Sequence, residues 1–393
     1  MKRFLHISAV LFVGALCLPL FQMVTRLPID YPLTGVENTA VRPTLTLSAW
    51  WDGTLQSEFE TWLNPRIGFR GLLVRTANQI NYTLFHELPQ RSGTQVLLGQ
   101  NGFLYEKVYV DSYNQDGARP EEELRHVSMS TRRLQDRLAK DGIAFLLVIA
   151  PSKAEIYPEY LPESADVEGR SERRTNYENM IGILNEDGVN LVDAHDLFLE
   201  WKEEPGIPLL YTKGGTHWNQ YGAARIISRI TEELKTLTGK DIPTMQVVGA
   251  VTNRTIVDSD NDLAELLNLW SGRQLAGPQI HPVMETTPGT HLPDLLVVGD
   301  SFVFTLTNQM DGEGLYRKRD TYYYYNRHYF YPVLPNLPLD KRQLDLLKEL
   351  QGRDAVVIEV GEYWLPRIGF GFVKDLLRAY DALDAVSPEQ PAP

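Results

Sequence analysis

Leu295-Leu296-Val297-Val298-Gly299-Asp300-Ser301-Phe302 reads as a short apolar strand that ends in a tight turn. Such a turn lifts a serine hydroxyl above the carboxyl edge of a sheet, where the following helix supplies backbone N–H donors. Earlier in the chain, Gly214-Gly215-Thr216-His217-Trp218-Asn219 offers a histidine in a Gly-rich, Trp-flanked loop. A serine alone is a weak nucleophile at neutral pH; an imidazole within hydrogen-bond reach takes its proton and activates it. Ser301 as nucleophile and His217 as base are therefore candidates for an acyl-transfer site, with the Ser301 N–H as an oxyanion donor. The plainer alternatives are a serine that caps the following helix and a structural histidine with its hydrogen bonds satisfied.

Working outward, apolar strands alternate with helical periodicity. Helices are expected at Glu121–Lys140, Glu172–Leu184, Asn219–Thr238 and Phe372–Leu383, and strands at Ile143–Ile149, Val189–Val192, Leu295–Val298 and Ala355–Val360. This alternation predicts an α/β fold: a mostly parallel sheet with helices on both faces. Sites in such sheets form outside the carboxyl ends of strands, where Ser301, Lys153 and Asp193 all fall. Residues 240–293 interrupt the alternation and read as an insertion near the site, with β-branched alternation from Val247 to Asp258 suggesting a hairpin lid. Before the α/β region, Thr54 to Phe85 shows helical spacing broken at Asn64-Pro65 and Gly68.

At the N-terminus, Lys2 and Arg3 precede an apolar stretch, Phe4 to Val24, that spans about 30 Å as a helix. The positive flank places the N-terminus in the cytoplasm and the remainder across the membrane. No Ala-x-Ala pattern follows, so an uncleaved signal anchor is favoured over a cleaved signal. The expected organisation is an anchor over 1–27, an extended spacer and helical lead-in over 28–90, an α/β domain over 91–385, and a disordered tail over 386–393. The formal net charge of −13 and the lack of a basic run argue against a nucleic-acid partner. Cys17 is the single cysteine, so no disulfide forms within the chain. His195 and His328 do not pair with acids at ligand spacing, which gives a metal site little support.

Gly299-Asp300-Ser301-Phe302 resembles the nucleophile block of SGNH/GDSL hydrolases. Thr216-His217-Trp218-Asn219, followed by Gly222-Ala223 and lying before the serine block, resembles the permuted order of alginate O-acetyltransferases of the AlgX/AlgJ type. Trp51-Asp52-Gly53, Gly99 with Gly102-Phe103-Leu104, Pro151-Ser152-Lys153, Ile156 to Pro162, and Val357-Ile358-Glu359 with Glu362 are similar to that family as well. The resemblance covers roughly residues 45 to 380 and implies an SGNH hydrolase-like domain. It implies transfer of acetyl groups to hydroxyls of an exported polysaccharide, from a membrane-bound O-acyltransferase partner, through an acetyl-serine and without a cofactor. The extracytoplasmic side of the cytoplasmic membrane is the implied location.

One departure bears on mechanism. The family's motif has an aspartate two residues before the histidine, where this chain has Gly215. His217 is then oriented by a backbone carbonyl, or by another acid, with Asp193 the first candidate and Asp196 the next, or the site has decayed into a binding surface. Candidate substrate contacts are Lys153, just past a strand, and Tyr322, Tyr324 and Arg327 in the run Thr321 to Tyr331. Tyrosine faces there would stack on sugars and Arg327 would pair with a carboxylate; the alternative is a strand with tyrosines on both faces. An acetyl esterase using the same Ser–His pair, and a non-catalytic glycan-binding subunit of an export complex, both remain open.

Overall fold

A computed structural model describes residues 2–25, 27, 31–35, 40–89, 95–115, 117–165, 174–253, 255, 257–333 and 335–386. The tail expected over 386–393 lies outside them from residue 387 onward, as do parts of the expected spacer. In chain order the strands are β1 (Val96–Leu98), β2 (Leu104–Glu106), β3 (Ala144–Ala150), β4 (Leu191–Asp193), β5 (Thr244–Asn253), β6 (Gln279–Thr287), β7 (Asp294–Gly299), β8 (Lys318–Tyr323), β9 (Arg327–Tyr331), β10 (Leu337–Pro338) and β11 (Ala355–Gly361).

The main sheet has the order β10-β9-β8-β7-β11-β3-β4. β8, β7, β11, β3 and β4 run parallel, and β9 and β10 add antiparallel at one edge. The central strands β3, β7 and β11 are apolar at nearly every position because both faces are covered. Phe145, Leu147 and Ile149 of β3 enter one core, with Val356, Ile358 and Val360 of β11, beneath the helices Glu121–Lys140, Asn176–Glu186 and Phe372–Val386. Leu146 and Val148 enter the opposite core, with Ala355 and Val357, against Gln220–Thr238 and Val303–Gly312. Caps start these helices where the chain signals them. The Thr175 side chain and Glu178 form a capping box, and the Asn219 side chain accepts from Gly222 N at 2.8 Å.

The chain divides into two compact units, residues 1–90 with Ala264–Gln274, and Arg91–Leu263 with Leu275–Pro393. The second holds the sheet, together with a hairpin in which β5 pairs antiparallel with β6. The first begins with the helix Lys2–Thr25, of which His6–Thr25, with a mean hydropathy of 2.2, is long and apolar enough to cross a membrane. Helices Thr54–Leu63 and Arg70–Phe85 follow, separated by a short 3-10 turn at Asn64–Arg66. Proline in that turn, followed by a turn at Gly68, separates the two helices where the sequence pattern indicates.

Because all the parallel strands end at one edge, polar residues converge there and need partners. At the β3–β11 side, buried His195 Nδ1 donates to Glu362 Oε1, and Ser152 N donates to Glu362 Oε2 at 3.2 Å. The Tyr177 ring stacks on His195 at 4.0 Å. Burial alone would lower the His195 pKa, but the Glu362 charge and hydrogen bond outweigh it and hold the imidazole at about 9. A raised folded pKa contributes stability that is complete below the ordinary imidazole value, about 6.5, and is lost as pH rises through the folded value. Glu362→Gln should therefore cost about 3–5 kcal/mol near neutral pH. Urea unfolding should show the gap between wild type and variant shrinking as pH rises through about 9; a gap independent of pH would contradict an ion pair.

Candidate active site

The turn after β7 is clamped from below. The buried Asp300 carboxylate points into the protein: Oδ1 accepts from Phe302 N at 3.0 Å and Oδ2 from Gly361 N at 2.9 Å, tying the turn to β11. Asp300 N donates to Glu359 Oε2 at 3.1 Å. Burial, and then the Asp300 charge, push Glu359 well above the usual carboxyl range, and burial raises Asp300 as well, so this buried pair holds a proton more tightly than free carboxyls do. Only glycine fits before Asp300, since a Cβ on Gly299 would lie 2.7 Å from Val303 Cβ and 2.8 Å from Glu359 Oε2. With Asp300 turned inward, Ser301 stands half-buried at the sheet edge, its side chain beside the Tyr324 phenol.

His217 is delivered by the loop between Tyr211 and Trp218, residues that form an isolated antiparallel bridge. Trp218 Nε1 donates to Phe302 O at 3.2 Å, and the His217 ring packs on Phe302 at 4.7 Å, which brings the histidine loop against the residue after Ser301. Among the described residues, His217 Nε2 has no hydrogen-bond partner, so no such bond joins it to the Ser301 hydroxyl. The other ring nitrogen is firmly held. Nδ1–H donates to Asp262 Oδ2 at 2.6 Å, while Asp262 Oδ1 accepts from Thr216 N at 2.8 Å and Leu263 N at 2.7 Å. Burial would lower the His217 pKa, yet Asp262 first, then Asp300 and Glu106, hold it above the usual imidazole range.

The acid on His217 thus comes from the insertion, and Gly215 explains why. A Cβ at position 215 would lie 2.9 Å from Thr212 Oγ1 and 3.0 Å from the Asp260 carbonyl carbon and oxygen. Its absence lets the Asp260 backbone pack onto the loop, which carries Asp262 to the imidazole two residues beyond Gly215. A side chain at 215 would force the Thr212 hydroxyl and the Asp260 backbone to shift away from the histidine loop.

The other candidates are placed as follows. Asp193 does not meet His217. Its strand β4 is three ladder steps from β7, roughly 14 Å at about 4.8 Å per step, and its carboxylate accepts from Tyr177 Oη at 2.9 Å and His195 N at 3.1 Å. Asp196 also accepts from Tyr177 Oη, at 3.2 Å. Lys153 is not open to substrate: it is buried, and Nζ donates to Thr212 O at 3.1 Å, Lys213 O at 3.3 Å and Gly215 O. Burial brings its pKa down to about 7. Its three carbonyl acceptors make Lys153 a clamp on the His217 loop.

The tyrosine run is not a single strand. It is the β8–β9 hairpin, whose turn holds Tyr324 at φ 46° and Tyr325 at φ 49°, a left-handed conformation that costs about 1–2 kcal/mol per non-glycine residue. Tyr324 N donates to Gly299 O at 2.8 Å, so the turn is fastened to the serine strand and Tyr324 is the tyrosine at the site. Tyr322 is fully buried on the opposite side against Phe372, so it cannot touch substrate. Arg327 is exposed on β9 and donates to Asn336 Oδ1 at 2.9 Å.

Two features of this edge were not indicated by motif. One is Asp262. The other is a cleft of about 420 Å³ lined by Tyr324, Tyr363, Trp364, Glu106, Lys107 and Asp111 among others. Glu106 borders the histidine loop, where its Oε2 accepts from Thr216 Oγ1 at 3.3 Å, and burial raises its pKa. Among the described residues no group of three His, Cys, Asp or Glu is arranged to hold a metal ion.

Residues 96–309, more than half of the chain, match the family described as SGNH hydrolase-like domain, acetyltransferase AlgX. The probable alginate O-acetylase AlgJ of Pseudomonas aeruginosa is 23% identical over 201 residues, 51% of this chain and 47% of that protein. Probable alginate O-acetylase AlgJ of Azotobacter vinelandii is 23% identical over 184 residues, 47% of this chain and 44% of that protein. The match thus spans about half the length of these curated relatives. The structure of the O-acetyltransferase domain of Pseudomonas putida AlgJ shares 19% identity at a TM-score of 0.44, over 70% of this chain and 93% of that one.

Asp262→Asn should lower turnover of an activated acetyl ester by roughly 10²- to 10⁴-fold. A general base acts as neutral imidazole, so activity rises with pH through the His217 pKa, and losing Asp262 should move that limb to lower pH. Adding Gly215→Asp to this variant should not restore activity, because the side chain meets Thr212 and the Asp260 backbone. Full rescue would show that the acid belongs at position 215.

Proposed function

The chain belongs to the SGNH hydrolase-like, AlgX-type acetyltransferase family, and on that footing we propose that it transfers acetyl groups onto hydroxyls of an exported polysaccharide. The observation that carries this reading is the 2.6 Å bond from His217 Nδ1 to Asp262, which supplies an orienting acid despite Gly215. A carboxylate there fixes the tautomer that leaves Nε2 free to accept a proton, and it stabilises the imidazolium once formed.

In the first half-reaction Ser301 Oγ attacks the acetyl carbonyl while His217 Nε2 takes the hydroxyl proton. The Ser301 N–H donates to the developing oxyanion. The tetrahedral intermediate collapses, the donor's leaving group departs with the proton from His217, and the acetyl group remains on Ser301. In the second half-reaction a sugar hydroxyl gives its proton to His217 as its oxygen attacks the acetyl-serine. Ser301 Oγ then leaves and recovers a proton, and the acetyl ester is on the sugar. Water in place of the sugar would make the same residues an esterase, so exclusion of water by bound glycan decides the outcome.

The apolar helix His6–Thr25, preceded in sequence by Lys2 and Arg3, supports a single-pass anchor with the domain outside the cytoplasm. An acetyl group delivered there requires a donor that crosses the membrane, which is the role proposed for a membrane-bound O-acyltransferase partner.

Full-length protein in detergent, given an activated acetyl ester, should show one acetyl adduct by intact mass, located on Ser301. Ser301→Ala should abolish the adduct, and His217→Ala should slow its formation by roughly 10³-fold or more. Added oligosaccharide should increase release of the adduct and appear as acetylated sugar. A folded wild type that forms no adduct with several donors would contradict catalysis and favour a glycan-binding subunit.

A further inference from the structure

We infer that the acceptor is an uncharged glycan, selected against uronic-acid polymers by the charge of the cleft beside Ser301; this rests on the acetyl-transfer reading above. The cleft adjoins both halves of the candidate machinery. Tyr324 is shared between it and Ser301, and Glu106 is shared between it and the Thr216–His217 loop. A sugar ring in the cleft would therefore sit next to residues that border both Ser301 and the His217 loop.

Its walls suit a sugar. The Trp364 ring stands 4.8 Å from Tyr363 and 5.9 Å from Tyr324, each at 73°, so the rings present faces in different directions around the space. Flat aromatic faces bind the C–H faces of pyranose rings with little loss of side-chain freedom, and phenol hydroxyls supply hydrogen bonds at the rim.

Its charges do not suit a carboxylate. Lys107 is the cation among the described lining residues, and its Nζ is bound to both Asp111 oxygens, at 2.5 and 2.6 Å. Glu106 pairs with no lysine or arginine among the described residues and accepts instead from the Thr216 hydroxyl. Among the described residues the lining therefore sums to zero or to a negative charge, whichever way Glu106 is protonated. Arg367 lies over the Trp364 ring at 5.8 Å, but it lines a separate depression with His126 and Leu377. Arg327 is engaged with Asn336 and does not line the cleft. Lys153, the other cation near this edge, is spent on backbone carbonyls. A uronate carboxylate entering the cleft would lose water and meet Glu106 and Asp111, with no free guanidinium or ammonium among the described lining residues to replace it. Repulsion of this kind is how a site rejects a close analogue.

The test compares acceptors that differ in charge alone. Full-length protein with an activated acetyl ester is given an oligouronate, the same oligouronate with its carboxyl groups reduced to alcohols, and neutral gluco- and manno-oligosaccharides of equal length. Acetylated sugar is read by mass spectrometry and normalised to ester turnover without acceptor. At least one neutral acceptor should be acetylated, and the reduced oligomer should exceed its parent by about tenfold or more. Asp111→Asn, which frees Lys107, should raise use of the oligouronate several-fold relative to that variant's own ester turnover. Equal or better use of the unreduced oligouronate overturns the inference, as does failure of every neutral acceptor while Ser301-dependent ester turnover persists. Loss of ester turnover itself would instead overturn the acetyl-transfer reading on which the inference rests.

Discussion

The hydrogen bond from His217 Nδ1 to Asp262 organises the whole edge of the sheet. It joins two segments whose close approach is eased by the missing side chain at Gly215, which lets the Asp260 backbone pack on the histidine loop. The same carboxylate accepts from Thr216 and Leu263 N–H groups, which holds the loop and the start of the following short helix in one register. An acid in this place orders the insertion and sets which imidazole nitrogen carries the proton. The usual local arrangement, with acid and base two residues apart, is replaced by one that depends on long-range packing.

Around that bond the sheet edge is built from buried ionisable groups that satisfy one another. Lys153 holds three carbonyls of the histidine loop, Asp300 and Glu359 lock the serine turn to β11, and His195 with Glu362 fastens the far side. Each would be costly alone, and each is tolerated because its hydrogen bonds are made inside the protein. The consequence is that Ser301, His217 and Tyr324 ride on rigid supports, which is what a reacting geometry requires. The left-handed Tyr324 and Tyr325 show strain stored at the same edge, held by the bond from Tyr324 N to Gly299 O.

Much of the fold was legible in sequence because it follows local rules. The helix at Glu121–Lys140 is found as read, Asn219 caps its helix, and the apolar runs at 144–150, 294–299 and 355–361 are the central parallel strands. The candidate nucleophile and base were likewise visible in short segments. Asp262 was not, since it lies 45 residues from its partner and no local period links them. The available signals were indirect: a glycine where an acid was expected, and the polar stretch Ser259-Asp260-Asn261-Asp262 within an insertion assigned near the site. Lys153 misled because position past a strand says nothing of where an ammonium turns. The tyrosine run misled because alternation cannot reveal that two tyrosines adopt positive φ and fold the run into a hairpin.

The most direct measurement of the central claim is the tautomer of His217 by NMR of imidazole-labelled protein, at a pH where the ring is neutral. If Asp262 orients the imidazole, the proton resides on Nδ1, is strongly downfield-shifted by its hydrogen bond, and moves upfield when Asp262 is replaced by asparagine. A neutral ring protonated on Nε2, or an Nδ1 proton unchanged by that replacement, would contradict the account.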